Sequence, residues 1–314
     1  MATTSIPHLD EADLEGLNVT ATQIIDMLDQ VILDSRSGKV WAAPKATVLP
    51  PDGRYIMATL AAMDNPPLVA TKSLVLNARN SDIGLPQING IVTLLQGQTG
   101  VPLATVDGNW ITAVRTAGLS ALAAKYMANP DATSLGFVGT GTQARSHLRL
   151  FQQMFPLERI KISGRGQANI DALGAVAGEL GLTAEVCATP QEAVEAVDLV
   201  VTSVTHTGVD GPFLRADWLA AGCFAAIVDL GVPWHKDSFA ALDRLIIDDL
   251  EQEAAMPGKL ANPEDVKGDL TGLVTGSVAG RKGAQERTAF VFRGHALGDL
   301  ALAALVYQLH AARA

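Results

Sequence analysis

Gly139-Thr140-Gly141-Thr142-Gln143-Ala144 fits the pattern G-x-G-x-x-G/A, directly after the apolar run SLGFV at 134–138 and before helix-compatible residues. Each position has a physical task there. Gly139 permits a tight turn, Gly141 lets the backbone approach a pyrophosphate, and Ala144 allows close helix–strand packing. The helix start beyond them presents unpaired N–H groups and a positive dipole end to phosphates. Gly139, Thr140, Gly141, Thr142, Gln143 and Ala144 are therefore expected to cradle a dinucleotide. The next strand, RIKIS at 159–163, ends in Ser163-Gly164-Arg165. NAD sites usually carry Asp or Glu at that place, on the ribose 2′-OH. A hydroxyl and a guanidinium suit a 2′-phosphate instead, so Ser163 and Arg165 favour NADP(H), with NAD(H) as the second choice. The segment VTSVTHTG at 201–208 is expected beside the nicotinamide, with Thr202, Ser203, Val204 and Thr205 orienting it.

These residues need elements to position them. From Ser134 strands and helices alternate: SLGFVG, RIKISG, TAEVCA, DLVVTSV, CFAAIVDLG and RLIIDD read as six strands with helical segments between them. That rhythm predicts right-handed crossovers and a parallel sheet covered on both faces. The region before it reads differently. TATQIIDMLDQVILDS is an amphipathic helix, with Asp10 or Asn18 as candidate caps for the helical starts. Short extended stretches follow, with hairpin turns at Asp52-Gly53 and Gln98-Thr99-Gly100, which predict a mainly antiparallel sheet. An Ala-rich helix then ends at Asn129-Pro130, and GHALGDLALAALVYQLHAARA closes the chain as a buried helix. The fold class is α/β: a Rossmann-type parallel-sheet nucleotide domain at 117–293, plus a smaller α+β substrate and dimerisation domain from 1–116 and 294–314.

Composition narrows the partners. The 314 residues are 48% hydrophobic and 18% charged, with a net charge of −10. That describes globular domains with sizeable cores and argues against a nucleic-acid partner, which needs a basic face. The two cysteines, Cys187 and Cys223, sit in apolar surroundings and read as free thiols. No apolar run approaches the roughly 20 residues that span a bilayer, and the acidic N-terminal stretch is unlike a signal peptide, so a cytoplasmic location is expected. The six histidines form no ligand-spaced pair, so no metal site is expected. Asp248-Asp249 with Glu251 and Glu253 reads as a solvated acidic face.

RTAGLSALAAKYMA followed by GFVGTGTQARSHL resembles the ornithine cyclodeaminase/μ-crystallin family. LPQINGIVTLLQGQTGVPLATVDGNWITAVRTAG, LTGLVTGSVAGR and GHALGDLALAALVY resemble further segments of that family, so the likeness covers nearly the whole chain. It implies a homodimer of two-domain subunits. The family's activities include ornithine cyclodeamination, alanine dehydrogenation, reduction of imino acids and, in μ-crystallin, thyroid-hormone binding. Lys45, Lys72 and Arg115 match its substrate site, and Thr116 falls in the same RTA segment, beside the cofactor. The three cations suit a carboxylate clamp, Arg115 as a bidentate fork and the lysines as point charges.

Two departures bear on the reaction. Cyclodeaminases carry a catalytic Asp two residues before a Pro; AIVDLGVPWHKD has Gly231 there and Asp229 two residues upstream. Since an extended residue spans about 3.3 Å, that displacement moves a carboxylate by several ångströms. FVFRGHALGD places Arg293 where relatives often show another pattern, and Arg293 is a candidate for a second acidic group of the substrate. The expectation is an NAD(P)H-dependent oxidoreductase that reduces an imino acid to an amino acid, or runs the reverse dehydrogenation. Lys72, Arg115 and Asp229 are its catalytic candidates, and Lys45, Lys72, Arg115 and Arg293 its substrate ligands. The alternatives are a cyclodeaminase-type ammonia lyase with bound NAD, and a nucleotide-bound small-ligand-binding protein.

Overall fold

A computed structural model describes residues 6–205 and 210–313. The chain forms two compact units, Met1–Arg115 with His295–Ala314, and Thr116–Gly294.

In the first unit β1 (His8–Leu9), α1 (Glu11–Gly16) and α2 (Ala21–Arg36) precede β2 (Val40–Ala42), β3 (Ala46–Val48), β4 (Tyr55–Asp64), β5 (Pro67–Leu76), β6 (Ile88–Gln96) and β7 (Pro102–Asp107). The sheet runs β1-β7-β6-β5-β4-β2, with β3 also on β4. All pairings are antiparallel except β1 with β7. The hairpin turns fall where Gly53 and Gly100 take positive φ, 86° and 72°. Asp10 caps α1 through a capping box, as expected. The cap of α2 is Thr20, whose hydroxyl accepts from Gln23 N–H, and not Asn18, which stands in a left-handed turn at φ 51°. Along β4 the buried residues alternate, Met57, Thr59, Ala61 and Met63, and the C-terminal helix Ala296–Ala311 packs over β4 and β5. α2 packs beside that helix. Its apolar run Leu300–Leu305 is buried throughout, which explains why no polar stripe interrupts the sequence.

α3 (Gly108–Met127) leads into the second unit. Its strands are β8 (Ser134–Val138), β9 (Arg159–Ser163), β10 (Thr183–Val186), β11 (Leu199–Thr202), β12 (Phe224–Ile227), β13 (Arg244–Ile247), β14 (Val266–Asp269) and β15 (Thr288–Val291). They form one parallel sheet in the order β10-β9-β8-β11-β12-β15-β13-β14. Every residue of β8, β11, β12 and β15 is buried, as sheets covered on both faces require. The six strands read from sequence are present, and β14 and β15 add to them. β14 (VKGD) is too polar to read as a strand, and β15 (TAFV) is only four residues long. Yet β15 inserts between β12 and β13, so the sheet edge beyond β12 is not in sequence order. The connections from β8 run outward in opposite directions, to β9 on one side and eventually β11 on the other. The crevice outside the carboxyl ends of β8 and β11 is thus the topological switch point where such sheets bind ligands.

Among the described residues no helix is long and apolar enough to cross a membrane. No group of three or more His, Cys, Asp or Glu side chains there could hold a metal.

Candidate functional site

The glycine loop leaves β8 at that switch point. Gly139 N–H donates to Ser163 O at 2.9 Å, and Ser203 N–H to Val138 O at 2.9 Å, so the ends of β8, β9 and β11 are tied together. Gly139 has φ 94°, and a Cβ there would stand 2.6 Å from Ser203 O. Backbone conformation and space both demand glycine. Gly141 is different: a Cβ there meets nothing within 4 Å. It is the N-cap of α4 (Thr142–Phe151) and makes no side-chain cap bond, so the helix start opens onto space. Gly164 closes the other side, where a Cβ would come 2.7 Å from Thr140 Oγ1.

A cleft of about 470 Å³ results, lined by Gly139, Thr140, Gly141, Ser163, Arg165, Ser203, Val204 and Thr205 among others. Arg165 Nη2 donates to Thr205 Oγ1 at 3.4 Å. Residues 206–209 of the expected nicotinamide loop lie outside the described residues. Thr116, Thr142, Gln143, Ala144 and Thr202 do not line the cleft. Ala144 is buried against the sheet, as its place in the glycine pattern requires, and Thr116 is buried in α3. Ser203 Oγ is buried in the cleft wall with no hydrogen-bond partner among the described residues. An open helix start, a glycine turn and an orphaned hydroxyl fit a dinucleotide.

Two side chains that the sequence reading passed over brace this loop. Arg145 donates to Thr140 O and Thr142 Oγ1, both at 3.3 Å. His147 is fully buried; its Nδ1 lies 2.7 Å from Gln143 O and its Nε2 2.9 Å from Ser120 Oγ. A carbonyl only accepts, so Nδ1 carries the proton and Nε2 accepts from the serine. Burial pushes the ring down to about 4.

Asp229 stands just beyond β12. Its Oδ1 accepts from Thr202 Oγ1 at 3.1 Å and its Oδ2 from Val204 N–H at 3.0 Å. Trp234 Nε1–H in turn donates to Thr202 Oγ1 at 3.1 Å. Burial raises the Asp229 carboxyl to about 6, against the lowering effect of those donors. Leu230 and Gly231 follow with φ 58° and 68°, and Val232 N–H closes the turn on Asp229 O at 3.1 Å. Arg293 is engaged in its own unit: Nε and Nη2 donate to Glu253 Oε2 at 3.0 and 2.8 Å, and its backbone N–H to Asp248 Oδ2 at 3.1 Å. The acidic stretch is therefore not a simple solvated face. Asp248 is buried, Asp249 caps the short helix Leu250–Ala255, and Glu253 is a partner of Arg293.

The first unit holds a separate charged cluster. Thr59 and Lys72 are cross-strand partners on β4 and β5, both pointing to the C-terminal helix. Asp299 of that helix meets them: Lys72 Nζ donates to Oδ1 at 2.6 Å and Thr59 Oγ1 to Oδ2 at 2.9 Å. Lys72 also reaches Thr112 Oγ1 at 3.2 Å. Arg115 Nε stands 3.1 Å from Asp299 Oδ1 as an ion pair. The Lys72 side chain is 0% exposed and that of Arg115 11%. Burial, with the Arg115 charge, pushes Lys72 down to about 8 although Asp299 pulls it up; the Lys45 charge lowers it further. Burial alone would raise Asp299, but Lys72 and Arg115 hold it below the usual carboxylate range. Lys72 and Arg115 thus share one buried carboxylate, two cations to one anion, and Lys45 is near enough for Lys72 to feel its charge. Asp299 was missed from sequence. Its signal was present: a lone acid in an otherwise apolar helix carries the same desolvation cost as Lys72 in its strand.

Comparison with known proteins agrees with this architecture. Residues 9–313 match the model of the "Ornithine cyclodeaminase/mu-crystallin family". The chain is 30% identical over 241 residues to a Delta(1)-pyrroline-2-carboxylate reductase of Bacillus cereus, covering 73% of each chain. It is 28% identical over 239 residues to an alanine dehydrogenase of Archaeoglobus fulgidus, again 73% of each. The fold matches that of Thermococcus litoralis Delta(1)-pyrroline-2-carboxylate reductase, solved with NADH and L-proline, with TM-score 0.90, 23% identity and 98% of each chain covered.

Proposed function

Because the chain belongs to the ornithine cyclodeaminase/mu-crystallin family, we propose that it is an NAD(P)-dependent oxidoreductase that interconverts an imino acid and an amino acid by hydride transfer. The observation that carries this reading is the excess of positive charge around Asp299, on a chain that also opens a cleft at its glycine loop. An anionic ligand neutralises that excess, and a carboxylate matches the Arg115 fork. Arg115, less deeply buried than Lys72, takes the carboxylate. Lys72 lies beneath it and Lys45 adds its charge. With its pKa pushed down to about 8, Lys72 is still largely protonated at neutral pH and adds to the positive charge that a carboxylate meets.

Gly139, Thr140, Gly141, Ser163, Arg165, Ser203 and Val204 would hold the dinucleotide. A reduced nicotinamide held there would supply the hydride that turns the carbon of an N-protonated imine into the α-carbon of an amino acid, leaving the nicotinamide oxidised. Arg165 and Ser163 favour the 2′-phosphate of NADP(H) over the bare hydroxyl of NAD(H). The reading also includes a homodimer. The sheet face of the first unit opposite its helices carries Leu60, Ile91 and Trp41 exposed, flanked in register by Ala58, Thr71, Ser73 and Thr93 with no charge among them. A second copy of the same uncharged face is its natural cover.

The test is a panel of 2-keto acids with ammonia or methylamine, and of cyclic imino acids, scored by net NADPH and NADH oxidation. Net oxidation with at least one carboxylated imine is expected. Ammonia release from a diamino acid without net change in the nucleotide would reject the reading in favour of cyclodeamination.

A further inference from the structure

The Asp229 carboxylate is gripped by donors that leave it little to give. Trp234 Nε1–H can only donate, so the Thr202 oxygen accepts from it, and the Thr202 hydroxyl proton is then turned to Asp229 Oδ1. The Val204 N–H occupies Oδ2. Both oxygens are acceptors, and the residue is 4% exposed. An acid that is to hand a proton to a ligand needs an oxygen clear of other donors, and each oxygen of Asp229 already accepts a hydrogen bond from the protein.

The same bonds have a second consequence. Thr202 and Val204 flank Ser203, so Asp229 fixes that residue from both sides. Ser203 is the neighbour against which Gly139 is packed: its carbonyl oxygen lies 2.6 Å, and its Oγ 3.1 Å, from the place a Gly139 Cβ would take. The Ser203 N–H is tied to Val138, the residue before Gly139. Hydrogen bonds running from Trp234 through Thr202, and from Val204, therefore converge on Asp229 and fix the wall that shapes the glycine turn. Left-handed Leu230 and Gly231 form the turn that follows Asp229, closed by the Val232 N–H on the Asp229 carbonyl.

We propose that Asp229 is a positioning residue of the dinucleotide cleft, holding Ser203 against Gly139, and that it is not the proton donor of the reaction. The proposal rests on the dinucleotide reading above. It departs from the expectation that Asp229 is catalytic, and it gives the residue a task that does not depend on meeting the substrate. An amide at 229 cannot satisfy both donors, because its N–H₂ must face either the Val204 N–H or the Thr202 hydroxyl. Trp234→Phe removes the hydrogen bond to Thr202 and leaves Asp229 itself unchanged.

The test compares wild type, Asp229→Asn and Trp234→Phe in three measurements: dissociation constants for NADPH and NADH by nucleotide fluorescence, the pH profile of kcat, and melting temperature. The nucleotide dissociation constants are expected to rise about tenfold in Asp229→Asn and about threefold in Trp234→Phe. The acid and alkaline limbs of kcat should keep their positions. Amide exchange at Val204 should quicken in Asp229→Asn while the core strand β8 stays protected. If Asp229→Asn binds nucleotide as wild type does and instead loses kcat by 100-fold or more with one pH limb, Asp229 is the acid and the proposal is overturned. Equal loss of nucleotide affinity and global stability in both variants, with β8 exchanging freely, overturns it as well, since the role is then general folding. A wild-type chain that binds neither nucleotide defeats the functional reading itself, which is a separate outcome.

Discussion

Lys72 in a strand and Asp299 in an apolar helix are each costly alone, and they are tolerable only as a pair. Their separation of 227 residues hides that pairing from any local reading. The glycine loop was legible because its whole logic lies within six residues; Asp299 was not, because its partner is on another element. Removing one member leaves a buried charge. Lys72→Met or Asp299→Asn is expected to cost about 3–5 kcal/mol, whereas a double replacement by apolar residues recovers most of that loss, measured by denaturant unfolding. Charge at Lys72 also sets a pH limit. Its folded pKa is lowered from 10.5 to about 8, so the positive charge is present below that pH and fades above it. KM for a carboxylated substrate should therefore climb as pH rises through about 8, and an unchanged KM at pH 9 would argue against a role for that charge. Arg165 is a second test at this scale. In Arg165→Ala the preference for NADPH over NADH should fall by about tenfold, read as a ratio of dissociation constants.

The strands of the second unit announced themselves by apolar runs between helical segments, and β14 and β15 did not. β15 is four residues long, and its place between β12 and β13 is decided by packing, which periodicity does not encode. Arg293, which follows it, is held by Glu253 of the helix Leu250–Ala255 at 2.8 Å, a contact that only the completed sheet creates. At α4 the brace is His147. Its folded pKa is depressed from 6.5 to about 4, so the unfolded chain binds more protons between those values. The stability that neutral His147 contributes is complete above about 6.5 and is lost as pH falls toward 4. Asp229 acts with the opposite sign: its pKa is raised from 3.8 to about 6, so its contribution is complete below 3.8 and is lost as pH rises through 6. His147→Asn, which keeps a donor toward Gln143 O, should flatten the acid limb of the stability profile between pH 4 and 6.5. Nucleotide affinity should drop only modestly. A melting profile as steep as wild type in that window would show that His147 is not its source.

At the scale of the molecule, the chain is built as two units: a parallel sheet whose switch point opens the glycine-loop cleft, and an antiparallel sheet whose helix face buries the charged cluster. The antiparallel sheet's other face carries no charge along the middle of β4, β5 and β6. Leu60→Asp places a carboxylate between Thr71 and its neighbours on that face. Sedimentation should then shift from dimer toward monomer, and a wild-type chain that sediments as a monomer would remove the homodimer from the account. The central claim is that the Lys72–Asp299–Arg115 cluster holds a substrate carboxylate while the dinucleotide binds elsewhere on the chain. The most direct measurement is kcat/KM for a carboxylated imine in Arg115→Met, taken with the NADPH dissociation constant of the same variant. The account predicts a fall in kcat/KM of roughly 100-fold with nucleotide affinity unchanged. A kcat/KM equal to that of wild type would contradict it.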